Sequence, residues 1–168
     1  MNTFSPSGIR KRLLVPDKPL PPRADLAMDL AACATIGFSS EDPEHPVDNL
    51  VDQNDGPGGT YWASNRQDTP EQLVIEFDTP SDLSRLVYEV EETRLERTQA
   101  VRVEVSRDSG RTYRALLMQE YVFSPDGATF QREDLRIQAL ALTHLRLTII
   151  PNKSGTGKAT LTSLSLYS

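Results

Sequence analysis

The 168-residue sequence has one cysteine, two histidines and no long apolar run, and each shortage excludes a class of protein. Cys33 has no second cysteine to pair with, so an intramolecular disulfide and an all-cysteine zinc site are excluded. The uncharged stretches are much shorter than the ~18 apolar residues that a membrane-spanning helix needs, so no transmembrane segment is expected. His45 and His144 are accompanied by neither a Gly-x-Ser-x-Gly elbow nor a nearby cysteine, so the sequence does not indicate nucleophilic catalysis.

Two further chemical patterns fail on geometry. Glu91 and Glu92 are adjacent at the end of a predicted strand, where neighbouring side chains point to opposite faces, so they are not expected to converge as a glycosidase pair. Residues 152–158 are similar to a phosphate loop, but Asn152 replaces the first glycine and Ala159 replaces the metal-binding hydroxyl residue. A strand rather than a helix follows, so the anion-binding helix terminus is missing. We therefore predict a protein that is not an enzyme.

Basic residues are scarce outside the N-terminal segment. Residues 1–24 carry five basic side chains against one acidic side chain, a net charge of +4, whereas the rest of the chain has a net charge of −10. The same segment holds five of the twelve prolines, which remove amide donors and favour extended backbone. We therefore predict an extended basic, proline-rich arm over residues 1–24 and one folded domain over residues 25–168.

The arm has two interpretations, and its sequence also bears on location. It is either a flexible or surface-draped tail, or a docking arm for an acidic partner such as a neighbouring copy in a homo-oligomer. Its apolar run, residues 13–15, is too short for an export signal, which favours a cytoplasmic protein. The acidic body argues against nucleic acid as the main ligand.

The body of the chain alternates apolar and polar residues in short segments that are separated by Gly, Pro, Asp and Asn. Residues 25–36 end in a first strand, although their Ala and Leu content also permits a short helix. The remaining segments predict an all-β fold, an antiparallel β-sandwich of seven or eight strands. The predicted strands are residues 72–77, 83–90, 100–106, 112–118, 143–150 and 160–167.

An ordered set of motifs in this body resembles the discoidin domains, the coagulation-factor type C, galactose-binding-like family that includes many carbohydrate-binding modules. The resemblance covers about residues 31–168. It implies an eight-stranded jelly roll whose loops at one end bind a sugar, a lipid headgroup or a protein. The motifs are residues 45–52, 60–64, 73–77, 103–110, 143–147 and 164–167.

The resemblance also implies a structural calcium ion in the glycine-rich loop before Trp62. A turning loop of this kind can present the hard oxygen ligands that calcium requires. The loop is longer than usual in the family, and Ser163 stands near where an acidic residue often completes the site. Alternatively, Asp52 and Asn54 simply cap turns through their own backbone. The ligands implied by the resemblance are Asn49, Asp52, Asp55 and Thr60.

Side chains in the loops at one end of the predicted sandwich are candidate ligand-binding residues. Arginine's planar fork suits bidentate bonding to vicinal hydroxyls or a carboxylate, although the loop of residues 92–97 could instead be a solvated salt-bridging loop. Trp62 could stack on a sugar, but the motif favours a core position. Of the aromatic residues around the turn at 125–127, one could reach a ligand. The candidates are Glu44, His45, Asn65, Arg66, Arg94, Glu96, Arg97 and Tyr121.

These features predict a non-catalytic carbohydrate-binding module that uses loops at one end of a jelly roll. The alternative is an intracellular protein–protein interaction domain of the same fold within a complex, which the lone cysteine and the absence of an export signal favour. Exposed aromatic residues that converge with Arg, Asn or His would support the first interpretation, and an apolar patch along a sandwich face would support the second.

Overall fold

The computed structural model describes residues 3–4, 10–11 and 27–168. Most of the predicted arm, 1–24, therefore lies outside the described residues. The described residues form ten strands, one short α-helix and one 3-10 helix, in this order: β1 (Thr3–Phe4), β2 (Arg10–Lys11), α1 (Leu30–Cys33), β3 (Ala34–Phe38), the 3-10 helix (Val47–Leu50), β4 (Trp62–Gln67), β5 (Glu71–Glu91), β6 (Arg97–Ser106), β7 (Arg114–Phe123), β8 (Phe130–Ser154), β9 (Lys158–Leu161) and β10 (Ser163–Tyr167).

Two long strands, β5 and β8, pair antiparallel along most of their length and form the centre of the domain. β3 pairs with the first part of β5, and β10 pairs with its second part. β6 pairs with the second half of β8, and β7 forms the outer edge beside β6. β4 and β9 make a separate two-stranded sheet, and β1 pairs with β2. Every pairing is antiparallel, so the prediction of an antiparallel all-β fold is confirmed.

The strand boundaries differ from the predicted ones in several places, and the predicted strand 160–167 is divided into β9 and β10, which belong to different sheets. The predicted segments 72–77 and 83–90 belong to the single strand β5, whose pairing with β8 shifts register between Glu76 and Arg85. Such irregularities bend a strand and increase its twist, which lets one strand carry different neighbours at its two ends. The first half of β8 was not predicted, because residues 130–138 mix charged with only half-buried apolar residues.

Inward-facing side chains of the central strands form the core. Val101, Val103 and Val105 of β6 alternate inward, as predicted, and all are buried. Trp62 is fully buried, and its Nε1 donates a hydrogen bond to the Ser40 carbonyl oxygen at 3.1 Å. The prediction that Trp62 is a core residue is therefore confirmed, and it is unavailable as a stacking platform.

Residues 30–38 contain both a short helix and a strand, the two structures that the sequence permitted for the start of the domain. A single helical turn, Leu30–Cys33, leads directly into β3, Ala34–Phe38. Cys33 is a half-buried free thiol packed against the core. Among the described residues, no helix has the length and apolar character needed to cross a bilayer.

Candidate functional site

A cavity of about 440 Å³ opens at the end of the domain where β5 ends and β6 begins. The loop before the 3-10 helix, the β5–β6 loop and the start of β9 enclose it. Its walls carry an aromatic pair and side chains of both charge signs, which include Asp42, His45, Tyr61, Glu91, Glu92, Arg94, Arg97 and Lys158.

His45 and Tyr61 form the aromatic part of the wall. Their rings are stacked, with centroids 4.1 Å apart and an interplanar angle of 16°, and Tyr61 Oη lies 3.1 Å from His45 Nε2. Asn49 supports this pair, because its Nδ2 donates to the Tyr61 carbonyl oxygen at 2.9 Å. Tyr61 remains 37% exposed, so the pair is rigidly held but still offers an aromatic surface to a ligand.

Asp42 and Lys158 contribute an ion pair to the same wall, with Lys158 Nζ 3.1 Å from Asp42 Oδ2. The backbone N–H of Glu44 donates to Asp42 Oδ1 at 3.0 Å. The hydrogen bond from Glu44 and the contact with Lys158 lower the pKa of Asp42. Asp42 is therefore a charged acceptor at neutral pH, and Lys158 is a donor beside it.

Arg97 forms the buried base of the cavity, and each of its three guanidinium nitrogens has a protein acceptor. It is 3% exposed, and its Nε donates to Glu92 Oε1 at 2.8 Å. Its Nη1 donates to the carbonyl oxygens of Pro151 and Lys158, and its Nη2 lies 3.3 Å from Thr160 Oγ1. Burial lowers the pKa of the Arg97 guanidinium, and Glu92 opposes this effect. The predicted ligand residue Arg97 therefore acts as structural support.

The glycine-rich loop of residues 152–158, which is similar to a phosphate loop, packs closely against Arg97. A Cβ added to Gly157 would lie 2.8 Å from Arg97 Nη1, and one added to Gly155 would lie 2.6 Å from the Glu96 carbonyl oxygen. Gly155 also has a φ of +79°, which favours glycine. The two glycines therefore let the backbone pass closely over a buried guanidinium.

Glu91 and Glu92 both border the cavity, but their carboxylates are held by different elements. β5 ends at Glu91, so strand alternation does not extend to Glu92. Each carboxylate is engaged: Glu91 Oε2 accepts the Gly58 N–H at 2.9 Å, and Glu92 accepts the Arg97 side chain and the Arg94 N–H.

Of the eight predicted ligand residues, the structure brings three to this cavity: His45, Arg94 and Arg97. Arg94 is exposed, and no ion pair to its guanidinium is formed within the described part of the chain. Glu44 and Glu96 are exposed beside the cavity and do not border it.

The other three predicted residues lie elsewhere. Arg66 binds Glu71 in a bidentate contact, at 2.8 and 2.9 Å, and Ser39 also donates to that carboxylate. Although burial opposes its ionisation, these hydrogen bonds hold the pKa of Glu71 below its usual value. Asn65 is exposed on β4, outside the cavity. Tyr121 is only 6% exposed, because β7 turns it inward to Tyr88 and Glu133.

Sequence reasoning missed three residues of the wall: Asp42, Tyr61 and Lys158. Tyr61 could have been found, because it precedes a buried tryptophan and neighbouring residues of an extended segment face opposite sides. Lys158 lies in the glycine-rich segment that failed as a phosphate loop. Asp42 carries no local signal, since only the fold brings it to Lys158.

The loop implied to hold calcium brings two of its four predicted ligands together. Thr60 Oγ1 donates to Asp52 Oδ2 at 2.5 Å, and Asp52 Oδ1 accepts the Asn54 N–H at 2.9 Å. Asn49 instead supports Tyr61, and Asp55 borders a separate cavity near Leu30. Across the described residues, no group of three or more His, Cys, Asp or Glu side chains is arranged to hold a metal ion. An ion here would therefore rely on Asp52, Thr60 and backbone carbonyls.

Carboxylates from β5 already fasten this loop. Glu89 is 4% exposed, and its Oε2 accepts the Gly56 N–H at 2.8 Å and the Ser163 hydroxyl at 3.0 Å. A carboxylate thus lies against Ser163, the position at which the resemblance leads one to expect an acidic residue.

Comparison with known proteins agrees with this architecture. The model of the F5/8 type C domain matches residues 35–162. No curated protein sequence matches the chain significantly. Similar solved structures include CBM32-3 from a family 31 glycoside hydrolase of Clostridium perfringens, with a TM-score of 0.62 and 19% identity over 84% of this chain and 94% of that chain.

Two further structures from Clostridium perfringens were solved with sugars. The family 32 CBM of NanJ, in complex with galactose, has a TM-score of 0.58 and 13% identity over 84% of this chain and 98% of that chain. CpGH89CBM32-5, in complex with GalNAc-β-1,3-galactose, has a TM-score of 0.57 and 17% identity over 85% of this chain and all of that chain (100%). These likenesses confirm the predicted jelly-roll sandwich. Because the family model spans most of the described domain, the chain belongs to the F5/8 type C domain family.

Proposed function

We propose that this domain is a non-catalytic carbohydrate-binding module and that the cavity beside His45 and Tyr61 binds a neutral saccharide. The observation that carries the proposal is the meeting of an exposed, rigid aromatic pair with Asp42, Arg94 and Lys158 in one open cavity. Its volume of about 440 Å³ lies within the range of small-molecule sites, about 300–1,000 Å³.

The charges of the cavity favour a neutral ligand. Its lining carries three carboxylates and three cations, so its formal charge is balanced: Asp42, Glu91 and Glu92 against Arg94, Arg97 and Lys158. Lys158 is paired with Asp42, and Arg97 is paired with Glu92. Within the Asp42–Lys158 pair, the ammonium group keeps N–H donors and the carboxylate keeps acceptor sites that can hydrogen-bond to the hydroxyl groups of a sugar. The two sugar complexes described above contain galactose and GalNAc-β-1,3-galactose, both neutral, and they guide the choice of probes.

The test is isothermal titration calorimetry with galactose and N-acetylgalactosamine, followed by a glycan array. We expect Tyr61→Ala to weaken binding by about tenfold or more, since aromatic residues dominate desolvated contacts. Arg94→Gln should also weaken it. Asn65→Ala is the matched control, because Asn65 is exposed but outside the cavity, and its affinity should stay within about twofold of wild type.

A blank array together with a stable co-purifying protein would instead support the alternative, a protein-interaction domain of the same fold. One observation favours that alternative. The edge strand β7 leaves Met118 45% exposed and Val122 68% exposed, and exposed apolar side chains on an edge strand can pair with another chain.

The proposal also specifies that the module does not hydrolyse its ligand. Glu91 and Glu92 border the cavity, but each is already held by backbone amides or by Arg97. Incubation with aryl glycosides and aryl esters should give no turnover. Turnover that disappears in Glu92→Gln or His45→Ala would contradict the assignment.

We propose further that the loop of residues 52–60 binds calcium weakly, through Asp52, Thr60 and backbone carbonyls. Calcium affinity falls as the number of charged ligands falls, and one carboxylate gives a weak site. Because Glu89 and Glu91 fasten the loop through the Gly56 and Gly58 N–H groups, we expect calcium at millimolar concentration to raise the melting temperature only slightly. Asp52→Asn should abolish that rise. A large loss of stability on adding a chelator would show instead that the ion is a major support of the fold.

A further inference from the structure

A second cavity, of about 510 Å³, opens at the opposite end of the sandwich from the saccharide cavity. β6 runs from Arg97, at the base of the first cavity, to Ser106 beside the second, and its ten residues span about 30 Å at 3.3 Å per residue. The buried side chains of Val105 and Leu142 form the floor, so this cavity is an opening of the core between the β6–β7 hairpin and the middle of β8.

Two exposed arginines border this second cavity, Arg107 and Arg114. Over the residues that the structure describes, no carboxylate forms an ion pair with either guanidinium. The first cavity differs in its charge balance, because its lining sets the carboxylates of Asp42, Glu91 and Glu92 against the cations of Arg94, Arg97 and Lys158. Two unpaired guanidinium forks beside an apolar floor suit an anionic ligand that presents carboxylate oxygens.

Among the described residues, the one carboxylate on the rim is Asp108, and it is held within the hairpin turn. Its Oδ1 accepts the Thr112 N–H at 2.9 Å and the Ser106 hydroxyl at 2.7 Å, and its Oδ2 accepts the Thr112 hydroxyl at 2.6 Å. These hydrogen bonds from Thr112 and Ser106 hold the pKa of Asp108 well below its ordinary value. Asp108 therefore fixes the turn that carries both arginines, and the rim keeps a net positive charge.

An exposed apolar side chain also borders this cavity. Leu140 is 53% exposed, and it precedes Ala141, which has a φ of +54° although it is not glycine. The Ala141 N–H donates to Asp82 Oδ1 at 2.8 Å, which stabilises this left-handed conformation. Outliers of this kind persist where the surrounding structure holds them, often at ligand sites.

Tyr113 is a second, pre-positioned contact surface on the rim. The Arg146 guanidinium carbon lies 3.7 Å from the Tyr113 ring centroid, and Arg146 is itself held by Glu104 at 2.7 Å. The ring therefore has a fixed orientation before any ligand arrives, which reduces the entropy lost on binding.

We propose that this second cavity binds a carboxylate-bearing saccharide, such as a uronic-acid oligomer. Arg107 and Arg114 would bind the carboxylates, and Leu140 and Tyr113 would contact the apolar faces of the sugar rings. The combination of guanidinium groups with an aromatic and an aliphatic surface fits a charged sugar better than a bare inorganic anion, which would make no use of the apolar groups. This site is independent of the saccharide cavity beside His45.

The experiment is titration of the full chain with trigalacturonate and with its methyl ester, in which uncharged methyl ester groups replace the carboxylates. Wild type should bind the acid, and the ester should bind about tenfold more weakly or worse, because charge-assisted hydrogen bonds are lost. The double variant Arg107→Gln/Arg114→Gln should lose binding to a similar degree. Arg102→Gln is the matched control, since Arg102 is exposed on β6 but outside the cavity.

Amide chemical shifts locate the ligand. Changes centred on residues 107–114 and 138–142 would support the proposal, provided that the double variant keeps the wild-type melting temperature. The proposal would be overturned by absence of binding, by an equal loss in Arg102→Gln, or by shift changes confined to the cavity beside His45. Inorganic phosphate that competes at the same concentration as trigalacturonate would overturn the assignment to a saccharide.

Discussion

Burial decides whether an arginine between β5 and β6 can contact a ligand, although Arg94 and Arg97 have similar sequence surroundings. Arg94 and Arg97 are three positions apart in a loop that presents two guanidinium groups between carboxylates. Arg94 is exposed at the cavity rim, whereas Arg97 is 3% exposed and joins Glu92 to the carbonyl oxygens of Pro151 and Lys158. The first is available to a ligand, and the second is a structural connection.

Replacement of Arg97 tests this division at the level of one residue. Arg97→Gln should lower the free energy of unfolding by about 3–5 kcal/mol, because it leaves Glu92 and two buried carbonyl oxygens without their donor. Urea unfolding monitored by tryptophan fluorescence of Trp62 gives the measurement. Arg94→Gln, on the same loop, is the control and should change stability by no more than about 0.5 kcal/mol. Equal effects of the two substitutions would contradict the structural role of Arg97.

At the scale of secondary-structure elements, a short buried chain of hydroxyl groups joins β5, β7 and β8. Tyr88 Oη lies 2.6 Å from Tyr121 Oη, and the Tyr121 hydroxyl lies 2.9 Å from Glu133 Oε2. Burial raises the pKa of Tyr88 and Tyr121, so both phenols are neutral under ordinary conditions. The chain fixes how the edge strand β7 packs over the central pair.

Tyr121→Phe removes the middle hydroxyl of this chain while the ring is kept. We expect a loss of about 1–3 kcal/mol of unfolding free energy, because Tyr88 and Glu133 each lose a hydrogen-bond partner in a buried place. Saccharide affinity should not change, since Tyr121 does not border the cavity. Calorimetric titration and denaturant unfolding of the same variant separate the two effects. Weaker saccharide binding at unchanged stability would indicate that Tyr121 contacts the ligand.

At the scale of the whole molecule, charge is distributed unevenly along the chain. Residues 24–65 contain eight acidic residues and no lysine or arginine, and residues 1–24 before them have a net charge of +4. One of the loops around the saccharide cavity, the loop before the 3-10 helix, belongs to this acidic segment. Opposite charges on neighbouring segments attract at low ionic strength and are screened by salt.

We predict that the basic arm supports self-association through this attraction. The full-length protein should sediment partly as an oligomer at low salt and as a monomer at high salt. The variant Arg10→Gln/Lys11→Gln/Arg12→Gln should remain monomeric at both, because it removes three of the five positive charges of the arm. Sedimentation velocity provides the measurement, and salt-independent oligomers of the variant would show that other contacts are responsible.

The sequence was informative wherever one local pattern carried the information. Alternation placed Val101, Val103 and Val105 in the core, and the ordered motifs identified the F5/8 type C family. It was less informative in the first half of β8, because the inward positions there begin with Gln131 and Glu133, which leaves only a short run of apolar alternation.

The sequence by itself determined the antiparallel all-β fold, the buried Trp62 and the candidate loops that include His45 and Arg94. Only the tertiary structure decided which side chains share a cavity. Asp42 and Lys158 are far apart in the chain and meet at 3.1 Å. Arg66 is held by the buried Glu71, and Arg97 by the half-buried Glu92. The physical reason is that strand patterns depend on neighbours in sequence, whereas burial and ion pairing depend on neighbours in space.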